Sequence, residues 1–177
     1  MDDETLAPYV PGSTEPWSVS VLCALTWLTR ACDVLELGAF EGRTTEKLAE
    51  TLEGAPTRFP NLVAVEVDGP RAEVARNRCA RFPHVRVVER DAIPFLRECL
   101  VEGLSFDVAF VDDDHTYAHV AEEIDLLKSG VVRRGGIIVM HDVLGEFELA
   151  PLVHLHDGFI IDLPLMHAAG GLGVIRV

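Results

Sequence analysis

The sequence has few cysteines and few cationic residues. Its four cysteines show no C-x-x-C spacing, so they indicate neither a disulfide framework nor a zinc site; they are Cys23, Cys32, Cys79 and Cys99. Only 15 lysines and arginines occur against 29 aspartates and glutamates, which gives a formal net charge of −14. This charge repels nucleic acid and anionic membrane surfaces, so we expect neither as a partner.

Long hydrophobic runs are also absent from the sequence. No stretch of about 18 uninterrupted apolar residues occurs, so no membrane-spanning helix is predicted. The start of the chain, MDDETLAPYV, lacks the basic and then apolar pattern of a signal peptide, and we therefore expect a cytoplasmic protein. Its 177 residues, 49% of them hydrophobic, suffice to form the core of one domain.

What the sequence does contain is an alternation of short β-type runs and longer amphipathic stretches. This pattern is typical of an α/β fold in which helices cover a parallel sheet. The predicted strands are DVLELG, LVAVEVD, VRVVERD, FDVAFVDDDH and GGIIVMHDV, followed by GFIIDLP and LGVIRV. The connection between the last two runs has too few residues for a crossover helix, so we expect these strands to be antiparallel.

Helices are predicted before the first strand and between the parallel strands. We predict that Ser18 caps the first helix, that Thr44 or Thr45 caps the second, and that Asp114 caps the helix after the fourth strand. We expect one domain, divided into a helical segment, a central core and a C-terminal β-hairpin at residues 1–33, 34–143 and 144–177.

Polar or charged residues follow every predicted parallel strand. They are Glu36 and Gly38, Glu66 and Asp68, Asp91, Asp112 to His115, and His141 with Asp142. In an open parallel sheet, ligands bind beyond the carboxyl ends of the strands, where the strand order reverses. The sequence therefore predicts a ligand site at this edge of the sheet.

The first strand leads into a turn with two glycines, Gly38 and Gly42. Glycines allow the backbone to approach a ligand closely, and the start of the next helix offers free N–H groups to an anion. Glu66, at the end of the second strand, is placed to accept hydrogen bonds from ribose hydroxyls. These features indicate a nucleoside cofactor. The G-x-G-x-x-G spacing of dinucleotide sites is missing, which disfavours an NAD-binding oxidoreductase.

Several motifs, in order, resemble those of one family. The E-x-G-x-x-x-G spacing from Glu36 to Gly42 resembles the first motif of class I S-adenosylmethionine-dependent methyltransferases. DDDHTY and GGIIVMHD resemble the signatures of the small O-methyltransferase-like family that includes macrocin-type and cephalosporin-cluster enzymes. The resemblance extends from Val34 to Val143. It implies a Rossmann-like doubly wound sheet of seven strands, the last antiparallel, with helices on both faces.

The resemblance also implies roles for individual residues. The methionine half of S-adenosylmethionine is expected at Glu36, Gly38, Phe40, Gly42 and Thr44, its ribose at Glu66, and its adenine at Asp91 and Ala92. Val67 is a further expected cofactor-binding residue. Asp112 is expected beside the sulfonium. Asp112 and Asp142 are the expected ligands of magnesium or another divalent cation, and the expected catalytic residues are Asp112, His115 and His141.

The expected reaction is the methylation of an oxygen atom on a small-molecule acceptor. Attack on a sulfonium methyl group requires positioning of the acceptor hydroxyl and loss of its proton. A divalent cation would lower the pKa of the acceptor, and a histidine would accept the proton near neutral pH; both routes stay open. A second copy of the chain, in a homodimer, could complete the open site. The alternative function is cofactor binding without catalysis.

Two residues depart from the family pattern. Glu41 could repel the carboxylate of the cofactor unless Arg43 compensates, and Asp113 stands at the usual glycine of D-G-D-H. The acids after the fourth strand could instead form a solvated loop, in which His115 bonds to the backbone. Three further histidines are interpreted as surface or packing residues: His154, His156 and His167.

Overall fold

The computed structural model describes residues 13–56, 59–162 and 170–177. The strands within these ranges are Asp33–Leu37 (β1), Asn61–Glu66 (β2), Val85–Glu89 (β3), Phe106–Val111 (β4), Val132–Met140 (β5), Phe159–Ile161 (β6) and Leu172–Arg176 (β7). The helices are Pro16–Leu28 (α1), Arg43–Gly54 (α2), Gly69–Cys79 (α3), Ala92–Glu102 (α4), Tyr117–Leu126 (α5) and Ala150–Leu155 (α6). A π-helical turn, Leu127–Val131, extends α5.

The strands form one sheet in the order β3-β2-β1-β4-β5-β7-β6. Strands β1 to β5 pair in parallel, whereas β7 is antiparallel to both β5 and β6. This arrangement confirms the predicted seven-stranded, doubly wound α/β fold with an antiparallel last strand. Because β1 lies between β2 and β4, the chain order reverses at β1, and a crevice is expected at its carboxyl end.

Two hydrophobic clusters cover the two faces of the sheet. Val34 of β1 packs on one side with residues of α1, α2 and α3, whereas Leu35 and Leu37 pack on the other with residues of α4, α5 and α6. Alternate side chains of a strand point to opposite faces, so a strand that is buried on both faces is apolar at nearly every position. This burial explains the continuous apolar runs of the sequence.

The predicted helix caps are wrong in detail. Helix α1 begins at Pro16 after the cap residue Glu15, because proline fits the first turn of a helix, and Ser18 lies inside the helix. Helix α2 is capped by Gly42. Thr44 and Thr45 do not cap it, since their hydroxyls donate to side chains outside the helix.

The start of α5 also differs from the prediction. Its cap residue is Thr116, not Asp114. Oδ1 of Asp114 accepts a hydrogen bond of 2.9 Å from the backbone N–H of Thr116, so Asp114 shapes the turn before the helix.

The C-terminal part contains the predicted antiparallel pair, β6 and β7, and also a helix that was not predicted, α6. Helix α6 has only six residues, too few for a helical period to show in the sequence. The end of the predicted strand GFIIDLP and His167 lie outside the described residues. Within the described residues, no helix has the length and apolar composition needed to cross a membrane.

Candidate active site

A cleft of about 640 Å³ lies at the carboxyl ends of the parallel strands. It brings together most of the residues that were predicted from the sequence to form the site: Gly38, Phe40, Thr44, Glu66, Val67, Asp91, Ala92, Asp112, His115, His141 and Asp142. Two residues of the predicted site, Glu36 and Gly42, do not line the cleft. Its location agrees with the rule that ligands bind where the strand order of an α/β sheet reverses.

Gly38 allows the end of β1 to contact the end of β4. Its φ angle is +88°, and the carbonyl group of Asp112 occupies the space that a Cβ atom would need. Phe40, which also lines the cleft, has a left-handed backbone as well, with φ of +48°. Glycine is therefore required at residue 38 by the neighbouring strand, independently of any ligand.

Gly42 has a packing role that the sequence did not reveal. It has a φ angle of +77°, and a Cβ atom on it would lie 2.8 Å from Cα of Ala75 in α3. The missing side chain thus allows the start of α2 to pack closely against α3.

Glu36 is fully buried behind the cleft. Its Oε2 accepts a hydrogen bond of 2.5 Å from the hydroxyl of Thr45, and its Oε1 has no hydrogen-bond partner among the described residues. Burial raises the pKa of Glu36 to about 8, with the nearby carboxylates of Asp112 and Glu66 acting in the same direction. Glu36 thus supports the end of β1 from within the core.

Glu66 lines the cleft and fixes the turn that surrounds it. Its Oε2 accepts a hydrogen bond of 2.7 Å from the backbone N–H of Phe40, and its Oε1 accepts one of 2.8 Å from the N–H of Asp68. A carboxylate has about four lone-pair sites, so about two remain for a ligand. Glu66 is therefore held rigidly while keeping the capacity to accept hydrogen bonds.

Arg43, and not Glu41, lines the cleft beside the start of α2. The carbonyl oxygen of Glu41 accepts a hydrogen bond of 2.8 Å from Arg78. Nε of Arg43 is buried and has no hydrogen-bond partner among the described residues. The cleft therefore has a cation where Glu41 was expected to bring negative charge.

Asp112 and His141 form the centre of a hydrogen-bonded group. Nδ1 of His141 lies 3.0 Å from Oδ1 of Asp112, and Nε2 of His141 lies 2.8 Å from Oε2 of Glu15. The hydroxyl of Thr14 donates a hydrogen bond of 2.6 Å to Oδ2 of Asp112. The segment before α1 therefore contacts both residues, a contact that no motif in the sequence signalled.

The protonation of His141 follows from these contacts. Burial lowers the pKa of His141, but the hydrogen bonds to Asp112 and Glu15 prevail and raise it to about 10. With both ring nitrogens facing carboxylates, His141 is an imidazolium near neutral pH and a poor proton acceptor. This finding weakens the expectation that His141 acts as a general base.

His115 lies on the wall of the cleft, next to the same carboxylates. Its Nε2 is 3.5 Å from Oδ1 of Asp112 and 3.8 Å from Oδ2 of Asp142. Its ring stacks on Phe147 at a centroid distance of 4.7 Å. Burial lowers the pKa of His115, but Asp112 and Asp142 outweigh burial and raise it.

A second cluster, which the sequence reading missed, consists of Asp113, His119 and Glu123. Nε2 of His119 lies 3.3 Å from Oδ2 of Asp113 and 3.5 Å from Oε1 of Glu123. Burial raises the pKa of Glu123 to about 10, and the neighbouring carboxylate of Asp113 adds to the effect. The sequence contained one indication of this cluster. His119 and Glu123 are four residues apart, and residues with this spacing lie on the same face of a helix.

The described histidines of the C-terminal segment do not line the cleft. His154 lies in the last turn of α6, and Nδ1 of His156 lies 3.0 Å from Nζ of Lys128. Their placement agrees with the interpretation as surface or packing residues.

Comparisons with known proteins agree with this fold. A search of curated protein sequences finds no significant match. The fold resembles the O-methyltransferase from Bacillus cereus in complex with S-adenosylhomocysteine (SAH), with a TM-score of 0.79, 18% identity, and coverage of 95% of this chain and 84% of that chain. The O-methyltransferase TomG from Streptomyces achromogenes, involved in tomaymycin synthesis and solved with S-adenosylmethionine (SAM), gives a TM-score of 0.76, 21% identity, and coverage of 93% and 81%.

The sequence itself identifies the family. Residues 35–143, more than half of the chain, match the family described as "Methyltransferase domain". These residues include most of the cleft, from the turn after β1 to the end of β5. The chain belongs to the methyltransferase domain family.

Proposed function

We propose that this methyltransferase transfers the methyl group of SAM to an oxygen atom of a small molecule. One observation carries the proposal: a single cleft is lined by Arg43, by the carboxylate at the end of β2, and by a histidine beside two aspartates. The similar structures with bound SAM or SAH support the same cofactor. The O-methyltransferases among these structures support an oxygen atom as the methyl acceptor.

The residues of the cleft fit SAM. Arg43 is placed for the carboxylate of the methionine part, because its guanidinium has a buried Nε without a partner among the described residues. Glu66 keeps lone pairs for ribose hydroxyls. Asp91 and Ala92 line the region expected for adenine. A cleft of about 640 Å³ lies within the range of small-molecule sites.

When bound, SAM supplies a sulfonium methyl carbon, to which the acceptor oxygen bonds while the carbon–sulfur bond breaks and its electron pair stays on sulfur. His115 would accept the hydroxyl proton at Nε2. Asp112 and Asp142, at 3.5 and 3.8 Å from that nitrogen, would stabilise the resulting imidazolium. The carboxylates raise the pKa of both histidines, but both ring nitrogens of His141 lie against carboxylates, whereas His115 faces them through Nε2, so His115 is the better base.

The donors at the ends of β4 and β5 also fit a divalent cation. Nδ1 of His141 lies 3.0 Å from Oδ1 of Asp112 and 3.5 Å from Oδ1 of Asp142. Ligand atoms at about 2.1 Å from a shared ion lie about 3.0–3.4 Å apart. A nitrogen ligand suits manganese, iron or zinc better than magnesium. We propose that Asp112 and Asp142 would hold such a cation, which would lower the pKa of the acceptor hydroxyl. Nδ1 of His141 would join them only on losing its proton, because a metal ligand must be deprotonated.

The test has two stages, binding and turnover. Calorimetric titration should detect SAH binding, and NADH serves as the control ligand that should not bind. SAM with a tritiated methyl group is then incubated with a panel of phenols, catechols and sugar alcohols, and transfer to oxygen is measured. Failure to bind SAH would overturn the proposal. Tight SAH binding without transfer to any acceptor would instead favour the cofactor-binding protein without catalysis.

A further inference from the structure

A second set of metal-ligating side chains lies beside the cleft and takes no part in the proposed methyl transfer. Asp113 follows β4, and His119 and Glu123 lie four residues apart on α5. One ligand atom from each residue lies within 4.8 Å of the other two. The cluster shares no residue with the group formed by Asp112, His115, His141 and Asp142.

Glu123 is the unusual member of this cluster. Its side chain is fully buried, and neither carboxylate oxygen has a hydrogen-bond partner among the described residues. A buried acid whose oxygens make no hydrogen bond is costly, so such groups normally find a hydrogen-bond partner or coordinate a metal. Oδ1 of Asp113 is likewise buried and without a hydrogen-bond partner in the described part of the chain. Two acidic side chains, each with an oxygen that makes no hydrogen bond within the described residues, thus lie next to the imidazole of His119.

The distances match metal coordination. Nε2 of His119 is 3.3 Å from Oδ2 of Asp113 and 3.5 Å from Oε1 of Glu123. In a tetrahedral zinc site with ligand distances of about 2.0–2.1 Å, neighbouring ligand atoms lie about 3.4 Å apart. Two of the three separations between ligand atoms therefore match those around a shared ion, and the third is within 4.8 Å.

We propose that Asp113, His119 and Glu123 bind a divalent transition-metal ion such as Zn²⁺. One nitrogen and two carboxylate oxygens form a donor set that suits this class of ion. The ion would tie the loop after β4 to α5. Because Asp113 and His119 also line the cleft, the proposed site adjoins it. This site does not depend on the proposed methyl transfer.

The experiment is a titration of the full-length protein with Co²⁺, followed by visible absorption. Wild type, His119→Gln and Glu123→Gln are compared, and Asp142→Asn is the matched control because it alters the other group of ligands. His119→Gln and Glu123→Gln should bind one equivalent of Co²⁺ at least tenfold more weakly than wild type. Asp142→Asn should retain that equivalent, and Zn²⁺ should displace it.

Unchanged stoichiometry and affinity in His119→Gln would overturn the proposal. So would complete loss of Co²⁺ binding in Asp142→Asn, because the ion would then lie in the other group. If the variants do not fold, wild-type crystals soaked with Zn²⁺ decide the question by anomalous scattering. A peak between the three side chains supports the site; no peak there shows that Asp113 and Glu123 share a proton instead.

Discussion

The backbone N–H of Phe40 donates a hydrogen bond of 2.7 Å to Oε2 of Glu66, which joins the turn after β1 to the end of β2. The carboxylate therefore shapes the cleft and, in our proposal, binds the ribose. Both functions depend on its charge, since hydrogen bonds to charged groups contribute about 1.5–3 kcal/mol each.

Glu66→Gln should weaken SAH binding about tenfold or more, measured by calorimetry. Glu89→Gln is the matched control, because Glu89 pairs with Glu66 in the register of β2 and β3 but does not line the cleft. SAH affinity should not change in the control. Equal affinities of wild type and Glu66→Gln would remove Glu66 from the cofactor site.

Arg43→Gln should weaken the binding of SAH about tenfold, because it removes a charged partner of the methionine carboxylate. Binding of adenosine, which lacks that carboxylate, should be unaffected. Glu41→Gln serves as the control, since Glu41 does not line the cleft. Parallel losses for SAH and adenosine would place Arg43 away from the carboxylate.

Glu36 should make the stability of the protein depend on pH. The folded pKa of about 8 exceeds the unfolded value of 4.5, so the folded state holds one more proton between these values. The free energy of unfolding should therefore fall as pH rises from about 4.5 to 8, by at most about 5 kcal/mol from this residue.

Urea denaturation of wild type and Glu36→Gln across this pH range isolates the effect, because the amide does not titrate. The stability of Glu36→Gln relative to wild type should increase with pH. A constant difference between the two proteins would mean that Glu36 is not protonated in the folded state.

Gly42→Ala should destabilise the protein more than Gly103→Ala. Both glycines have left-handed backbones, which cost a substituted residue about 1–2 kcal/mol. A Cβ atom at residue 103 meets nothing within 4 Å, whereas at residue 42 it collides with the backbone of Ala75. The additional cost at Gly42 should be about 1–3 kcal/mol by urea denaturation. Equal losses of stability in the two variants would show that α2 and α3 can move apart at little energetic cost.

If a divalent cation assists methyl transfer, activity should collapse in EDTA and return with added Mn²⁺ or Mg²⁺. Asp142→Asn should abolish this activity, whereas Asp125→Asn, at an exposed position of α5, should retain it. Full activity in EDTA, with a pH profile that disappears in His115→Ala, would contradict metal assistance and leave His115 as the sole base.

The sequence predicted the strands and the residues directly after them, because both features are local. Glu66 and Asp112 end apolar runs, and the topology of a parallel sheet then brings them to one edge. The sequence could not distinguish Gly38, which faces the cleft, from Gly42, which packs on a helix. Both occur in the same turn, and only the neighbouring helix separates their roles.

Contacts between distant parts of the chain were also beyond sequence reasoning. Thr14 bonds to Asp112 across 98 positions, and Glu15 bonds to His141 across 126. The local sequence around these residues does not indicate which distant residue each of them contacts. The same holds for Asp113, whose neighbours His119 and Glu123 became visible only when the turn after β4 placed it against α5.

The contacts of Thr14 and Glu15 mean that the working unit is longer than the segment that defines the family. Residues 35–143 match the family, yet two side chains that hold Asp112 and His141 precede that segment. On the other side, a side chain at Gly170 would collide with the carboxylate of Asp142. A fragment cut to the matched boundaries would keep every motif of a methyltransferase and lose the flanking contacts that position its acids.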